Sequence, residues 1–65
     1  MMVYVAKVTF EGYDFAGDHF ECDDVIGVFR TEKGAEKALK REYELLELQG
    51  HTVTEMTTYY KLVEE

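Results

Sequence analysis

One helical segment with β-forming sequence on both sides is the strongest constraint on how this chain folds. Thr31 is a favoured helix N-cap, and Gly50 is a favoured residue just beyond a helix end. Between them we expect a helix from about Glu32 to Gln49, with one broad apolar face. A single helix covers only one face of a sheet, so the other face should remain open. The apolar helix positions are Ala35, Ala38, Leu39, Tyr43, Leu45 and Leu46.

Three segments have the composition of β-strands, rich in β-branched and aromatic residues. The first runs from Val3 to Phe10, the second from about Phe20 to Phe29, and the third from Thr52 to Val63. Gly12 and Gly17 bracket a turn between the first two strands. The even positions of the first strand are uniformly apolar, so we expect that side of the strand to face the core.

Two acidic residues fall on faces that we otherwise expect to be buried. Asp24 interrupts the apolar even positions of the second strand, and a bulge near Asp23 and Asp24 would turn both carboxylates outward. Glu42 lies near the middle of the apolar helix face. Either the helix is rolled so that Glu42 reaches solvent at the sheet edge, or this carboxylate is buried with a specific partner.

These elements predict an α+β fold: a single β-β-α-β domain over residues 1–65, with a three-stranded antiparallel sheet in the order 2-1-3 and one helix packed on one face. A tight turn makes the first two strands antiparallel, and a right-handed crossover places the third strand beside the first. A chain of 65 residues is near the lower size limit for independent folding. Because Cys22 is the only cysteine, no internal disulfide is available, and we expect a partner to stabilise the fold.

The open sheet face is predicted to carry more apolar side chains than a monomer of this size usually exposes. The even positions of the second strand form the better core face, which leaves its odd positions on the open face. A homo-oligomer or a complex would bury this surface, and the two outer strands offer unpaired backbone groups to a partner. Alternatively, the stems of Lys7 and Lys61 cover it together with the tyrosines. The predicted interface residues are Val3, Val5, Val25, Phe29, Tyr59 and Val63.

The net charge of −7 narrows the classes of partner. Nucleic acids and anionic membranes are bound by lysine and arginine, so we expect direct binding to neither. A basic protein surface, including one that normally holds nucleic acid, fits this charge. No apolar run approaches the roughly 20 residues of a membrane-spanning helix, and the first residues lack a signal-peptide pattern. With one free thiol, the chain is expected to act in the reducing cytoplasm.

The segment from Phe10 to Asp24 has an unusual composition: six acids, the only cysteine and one of the two histidines, without lysine or arginine. It does not predict a metal site, because strand alternation points His19 and Cys22 to opposite faces and the residue order of a calcium loop is absent. Neighbouring carboxylates also disfavour the reactive thiolate form of Cys22. We therefore expect no enzymatic activity, no cofactor and no metal, with divalent-metal binding at the hairpin as a third and less favoured reading.

This segment instead predicts a protein interface. Concentrated negative charge accelerates association with a basic partner, and aromatic side chains among the acids can act as anchors. The alternative is a solvated loop whose aromatic residues pack back to cap the core. The candidate partner-binding residues are Glu11, Tyr13, Asp14, Phe15, Asp18, Glu21, Asp23 and Asp24.

Three short motifs follow one another: Val-Tyr-Val at Val3–Val5, Val-Ile-Gly-Val-Phe at Val25–Phe29, and Thr-Glu-Lys-Gly-Ala-Glu-Lys-Ala at Thr31–Ala38. This order resembles a group of short uncharacterised domains found in bacteria and their phages. The resemblance implies the fold and brings no activity with it. In size and acidity the chain is also similar to small phage proteins that inhibit host enzymes or defence systems.

We therefore expect a non-enzymatic interaction module, encoded by a phage or a mobile element, that binds and inhibits a host protein. The alternative is a small homo-oligomeric structural or accessory protein assembled through the open sheet face. The two expectations differ in which surface is functional, the acidic segment or the sheet.

Overall fold

The computed structural model describes residues 1–63 and confirms the β-β-α-β architecture. Its elements are β1 (Met2–Tyr13), β2 (His19–Phe29), α1 (Glu32–Leu48) and β3 (Thr52–Leu62). The strands form one antiparallel sheet in the predicted order, β2-β1-β3. β1 is longer than expected, because the turn that follows it is tight enough for strand pairing to continue to Tyr13 opposite His19.

α1 begins and ends at the capping residues that the sequence predicted, Thr31 and Gly50. The Thr31 side chain accepts a hydrogen bond from the Gly34 N–H at 3.0 Å, as an N-cap does. At the other end Gly50 has a positive φ of 82° and donates to the Glu47 carbonyl, while His51 N–H donates to the Leu46 carbonyl at 2.9 Å. This pair of bonds is a Schellman motif, which ends the helix and turns His51 back toward the sheet.

The core forms where the middle of β1 meets the helix. Ala6 and Val8 of β1 are fully buried against Ala35, Leu39 and Leu46 of α1. Small alanines on both elements let the helix approach the sheet closely. Partly buried side chains surround this cluster, namely Tyr4, Phe10, Ile26, Phe29 and Val53.

A β-bulge in β2 lies at a different position from the one we expected. Ala6 pairs with Gly27 but Lys7 pairs with Val25, which leaves Ile26 as the extra residue. The predicted bulge near Asp23 and Asp24 is therefore wrong in position. Residues paired across antiparallel strands share a face, so Asp24, opposite Val8, lies on the helix side of the sheet, where it stays exposed on the edge strand.

The bulge also reverses the two faces of β2 beyond Ile26. Phe29 pairs with Tyr4 and packs against the core, so its predicted place on the open face is wrong. Val28, opposite Val5, takes that place and is 60% exposed. The physical reason is that a bulge shifts the alternation by one residue, and every later side chain then changes face.

The open face is better covered at its centre than we expected. Val3 and Val5 are only 7% and 6% exposed, so the prediction that they are exposed is wrong. They lie on the central strand, where Val5 has the side chains of Val28 and Tyr59 on either side. The remaining predicted interface residues, Val25, Tyr59 and Val63, are exposed.

The sheet is longer than its helix. The molecule measures 45 × 20 × 15 Å, whereas a helix of 17 residues spans about 25 Å. α1 begins near Met2 and Tyr4, and the turn after it places His51 over Gly12. The hairpin that joins β1 to β2 therefore extends past the helix.

Exchanging Phe29 and Val28 separately for alanine tests the bulge. Phe29→Ala removes a ring packed on the core and should lower the free energy of unfolding by about 2 kcal/mol. Val28→Ala alters an exposed side chain and should cost less than about 0.5 kcal/mol. Urea denaturation measures both, and equal costs would show that Phe29 does not pack on the helix side.

Candidate functional site

The acidic hairpin, residues 10–24, closes through a three-residue loop. Asp14 N–H donates to the Asp18 carbonyl at 3.0 Å, and Gly17 N–H donates to the Asp14 carbonyl at 3.0 Å. Gly17 has a φ of 83°, which glycine adopts without strain. This is the arrangement of three-residue hairpin loops that end in a glycine bulge. Phe15 and Ala16 therefore occupy the tip of the loop.

The Asp14 carboxylate holds that loop in one conformation. Its Oδ1 accepts hydrogen bonds from the N–H groups of Ala16 and Asp18, each at 2.9 Å. Aspartate favours the first position of such turns because its side chain can satisfy backbone donors two or more residues on. A loop ordered before binding loses less conformational entropy when a partner docks on it.

The aromatic side chains of the hairpin divide into exposed and packed ones. Phe15 has a relative exposure of 113%, so none of the other residues that the structure describes covers its ring. Tyr13 is 72% exposed and meets the His19 ring in a T-shaped arrangement, at 5.5 Å between centroids. Phe10 and Phe20 pack inward. The alternative expectation, that the aromatic residues fold back on the core, therefore describes Phe20 and does not describe Phe15.

An aromatic clamp fixes the base of the hairpin. Its members are Phe10, Phe20 and His51, with centroids 5.4 Å apart for Phe10 and His51 and 5.5 Å for Phe20 and His51. The two phenylalanine rings meet edge to face at 6.3 Å, a favourable arrangement. Gly12 lies directly beneath the His51 ring, so a methyl group there would overlap with that ring. The clamp connects the protruding hairpin to the end of α1.

Two of the eight predicted partner-binding residues differ from the other six: Asp23 pairs with side chains of β1, and Asp24 lies on the opposite side of the sheet from Glu11 and Glu21. Asp23 lies on the open face, accepts a hydrogen bond from Thr9 Oγ1 at 2.6 Å and is 3.9 Å from Lys7 Nζ. Asp24 lies on the helix side of the sheet. The remaining six form what we call the tip group: Glu11, Tyr13, Asp14, Phe15, Asp18 and Glu21.

One cluster of potential metal ligands was missed by the sequence reasoning. Glu11, His19 and Glu21 share the open face, and their ligating atoms lie within 4.8 Å of one another. His19 Nε2 is 3.2 Å from the Glu11 carboxylate, so a protonated imidazole can bridge to it. Imidazole and carboxylate are zinc-type donors, and within residues 1–63 no further histidine, cysteine or acid joins the three.

Cys22 lies apart from that cluster. It pairs with Phe10 on the helix side of the sheet, whereas His19 lies on the open face, as the strand alternation predicted. Cys22 is half-buried, and its thiol donates to the Asp23 carbonyl at 3.9 Å. The geometry therefore brings no base to this thiol within the described residues.

Comparison with known proteins identified no relative: no family model, no curated protein and no solved structure matches the chain. Within residues 1–63 no helix has both the length and the apolar character needed to cross a membrane.

The clamp predicts how Gly12 responds to substitution. Gly12→Ala should lower the free energy of unfolding by about 1–3 kcal/mol, because the added methyl group displaces the His51 ring. In a His51→Ala background only Phe20 Cζ remains close, at 3.2 Å from the added methyl group, so the same substitution should cost less than about 1 kcal/mol. A double-mutant cycle by urea denaturation measures the difference. Additive costs would place the His51 ring elsewhere.

The Asp14 bonds predict a second result. Asp14→Ala should speed amide hydrogen exchange at Ala16 and Asp18 and cost about 1 kcal/mol, because two backbone donors lose their acceptor. Asp14→Asn keeps an acceptor oxygen and removes only the charge, so exchange there should stay close to that of the unaltered protein. If both variants loosened the loop equally, charge and not hydrogen bonding would order it.

Proposed function

We propose that this chain is a non-enzymatic interaction module that binds a basic protein surface through the tip group and inhibits the use of that surface. A surface that normally holds nucleic acid is the best match in charge. In this proposal the protein acts as small phage inhibitors do, in the cytoplasm of a bacterial or infected cell, where a lone thiol such as Cys22 stays reduced.

The observation that carries the proposal is the fully exposed Phe15 on an ordered loop. Aromatic rings presented without cover are the usual anchors of protein interfaces, and their transfer from water into a pocket supplies much of the binding energy. The hydrogen bonds of Asp14 order the loop in advance, which reduces the entropy lost on docking. The clamp packs the base of the hairpin against His51, so the tip projects beyond the core.

The charges around Phe15 support a basic partner. Asp14 and Asp18 flank the ring in the loop, and Glu11 and Glu21 follow on the paired strands. No lysine or arginine lies between Phe10 and Asp24, so the field at the tip is of one sign. Such a field raises the rate of association and suppresses binding to acidic proteins.

Capture of a partner from a bacterial lysate tests the proposal. The immobilised protein should retain a basic protein at about 50 mM salt and release most of it at about 500 mM, because salt screens exposed charges. Phe15→Ala and Asp18→Lys should each reduce retention about tenfold or more. The purified partner should then bind nucleic acid more weakly when the unaltered chain is added.

Matched variants on the helix provide the controls. Leu48→Ala removes an exposed apolar side chain, and Glu44→Lys reverses an exposed charge, both on α1 and outside the hairpin. Neither should change retention. A partner held equally by Phe15→Ala, or held at high salt, would contradict a tip-directed electrostatic interface.

A further inference from the structure

We propose that two copies of this chain associate through the outer edge of β3, by antiparallel pairing about a two-fold axis at Thr58. β3 is an edge strand, and no other element pairs with its outer side in the part of the chain that the structure describes. This self-association goes beyond the partner binding proposed above and uses a different surface.

The hydrogen-bond pattern shows which backbone groups of β3 are free to pair. Met1 and Val63 exchange hydrogen bonds in both directions, Val63 N–H to the Met1 carbonyl at 2.8 Å and the Met1 amino group to the Val63 carbonyl at 3.2 Å. Bonded pairs alternate along antiparallel strands, and the register between Leu62 and Glu55 is unbroken. The odd residues of β3 therefore bond to β1, and the even residues point their N–H and C=O groups outward.

A two-fold axis at Thr58 uses these outward groups in one register. Thr58 pairs with the partner's Thr58, and Met56 pairs with the partner's Tyr60 on both sides of the axis. Each of these pairs can exchange two backbone hydrogen bonds, since all are even residues. No proline interrupts the strand, and its register shift lies outside this span, beyond Glu55.

The same register is complementary in charge. It places Glu55 of one chain opposite the partner's Lys61, and Lys61 opposite the partner's Glu55. Both side chains lie on the open face and are exposed. They form non-hydrogen-bonded pairs, in which opposing side chains come closest. Two ion pairs related by symmetry therefore fix the register.

On the helix side, the partner's Tyr60 meets an apolar groove. Tyr60 is 68% exposed in one chain, and the register puts it beside Met56 of the other chain. Tyr43 lies at this groove, where a hydrogen bond to Glu47 and the charge of that carboxylate raise the pKa of its phenol above the usual value. Helix axes centred over the two β1 strands would lie about 14 Å apart, which leaves room for these rings. The groove is lined by Glu36, Leu39, Lys40, Tyr43 and Met56.

The accessible surface area of one chain is larger than that of a typical monomer of this mass, as expected for a chain that has a partner. One chain exposes 5140 Å², whereas a compact monomer of 7.6 kDa exposes about 4,300 Å². The excess is comparable to the roughly 800 Å² that each partner contributes to a standard interface. The other edge strand is less suitable, because β2 has its bulge at Ile26 and presents Asp23 and Asp24.

The arrangement keeps the most acidic segments of the two chains apart. β3 starts at the hairpin end, where Thr52 pairs with Glu11, and runs toward the opposite end, where Leu62 pairs with Met2. Antiparallel pairing therefore places the two acidic hairpins at opposite ends of the dimer. Lys61 lies between them, near the axis.

Charge reversal with mixing tests the register. The unaltered chain should show twice the 7.6 kDa mass of one chain by light scattering as concentration rises. Glu55→Lys and Lys61→Glu should each weaken the dimer about tenfold or more, because each faces like charges. A mixture of the two variants restores opposite charges at both pairs and should dimerise. The double variant Glu55→Lys with Lys61→Glu should also dimerise.

Amide hydrogen exchange gives an independent readout within one chain. The N–H groups of Met56, Thr58 and Tyr60 should become protected as concentration rises, whereas those of Thr57 and Tyr59 should be protected at every concentration. Circular dichroism confirms that each variant is folded.

A chain that remains monomeric, or a dimer that neither reversal weakens, would overturn the proposal. If the unaltered chain dimerises but captures no basic partner, only the function proposed for the tip group is contradicted.

Discussion

The structure depends on the packing of one helix against the middle of one strand. Ala6 and Val8 of β1 are the fully buried residues of the sheet, and Ala35, Leu39 and Leu46 cover them. A core this small stabilises little by itself, since conformational entropy opposes nearly all of what burial contributes. Consequently the outer parts of the sheet depend on local devices: the Schellman turn, the aromatic clamp and the loop ordered by Asp14.

Those devices explain why the most exposed surfaces are still ordered. The helix spans only part of the sheet, so the hairpin beyond Gly12 has no helix above it. The His51 ring covers the base of the hairpin in place of a helix, because the Schellman turn directs this ring onto Phe10 and Phe20. Beyond the clamp, the loop is ordered by its own hydrogen bonds and not by side-chain packing. The loop backbone at Phe15 is thus ordered although none of residues 1–63 covers the Phe15 ring.

Local signals in the sequence predicted most of the fold. Thr31 and Gly50 marked the helix ends because capping depends on residues close in sequence. The bulge at Ile26 was misplaced, since it depends on how β2 pairs with β1 and Asp24 was the only irregularity visible in β2 alone. The wrong face for Phe29 followed from that error. The Glu11, His19 and Glu21 cluster was visible in principle, because a loop closed by Asp14 and Asp18 fixes the cross-strand register.

The two proposals constrain one another through the direction of β3. Because the hairpin end of β1 pairs with the start of β3, any dimer built by antiparallel pairing of two β3 strands has its acidic tips at opposite ends. Two tips on one rigid sheet cannot both occupy a single basic groove. If both proposals hold, a dimer binds two separate sites, and a gain in affinity appears only when a target presents those sites at the spacing of the tips. A repeating or symmetric basic target would therefore be selected over a monomeric one of equal charge.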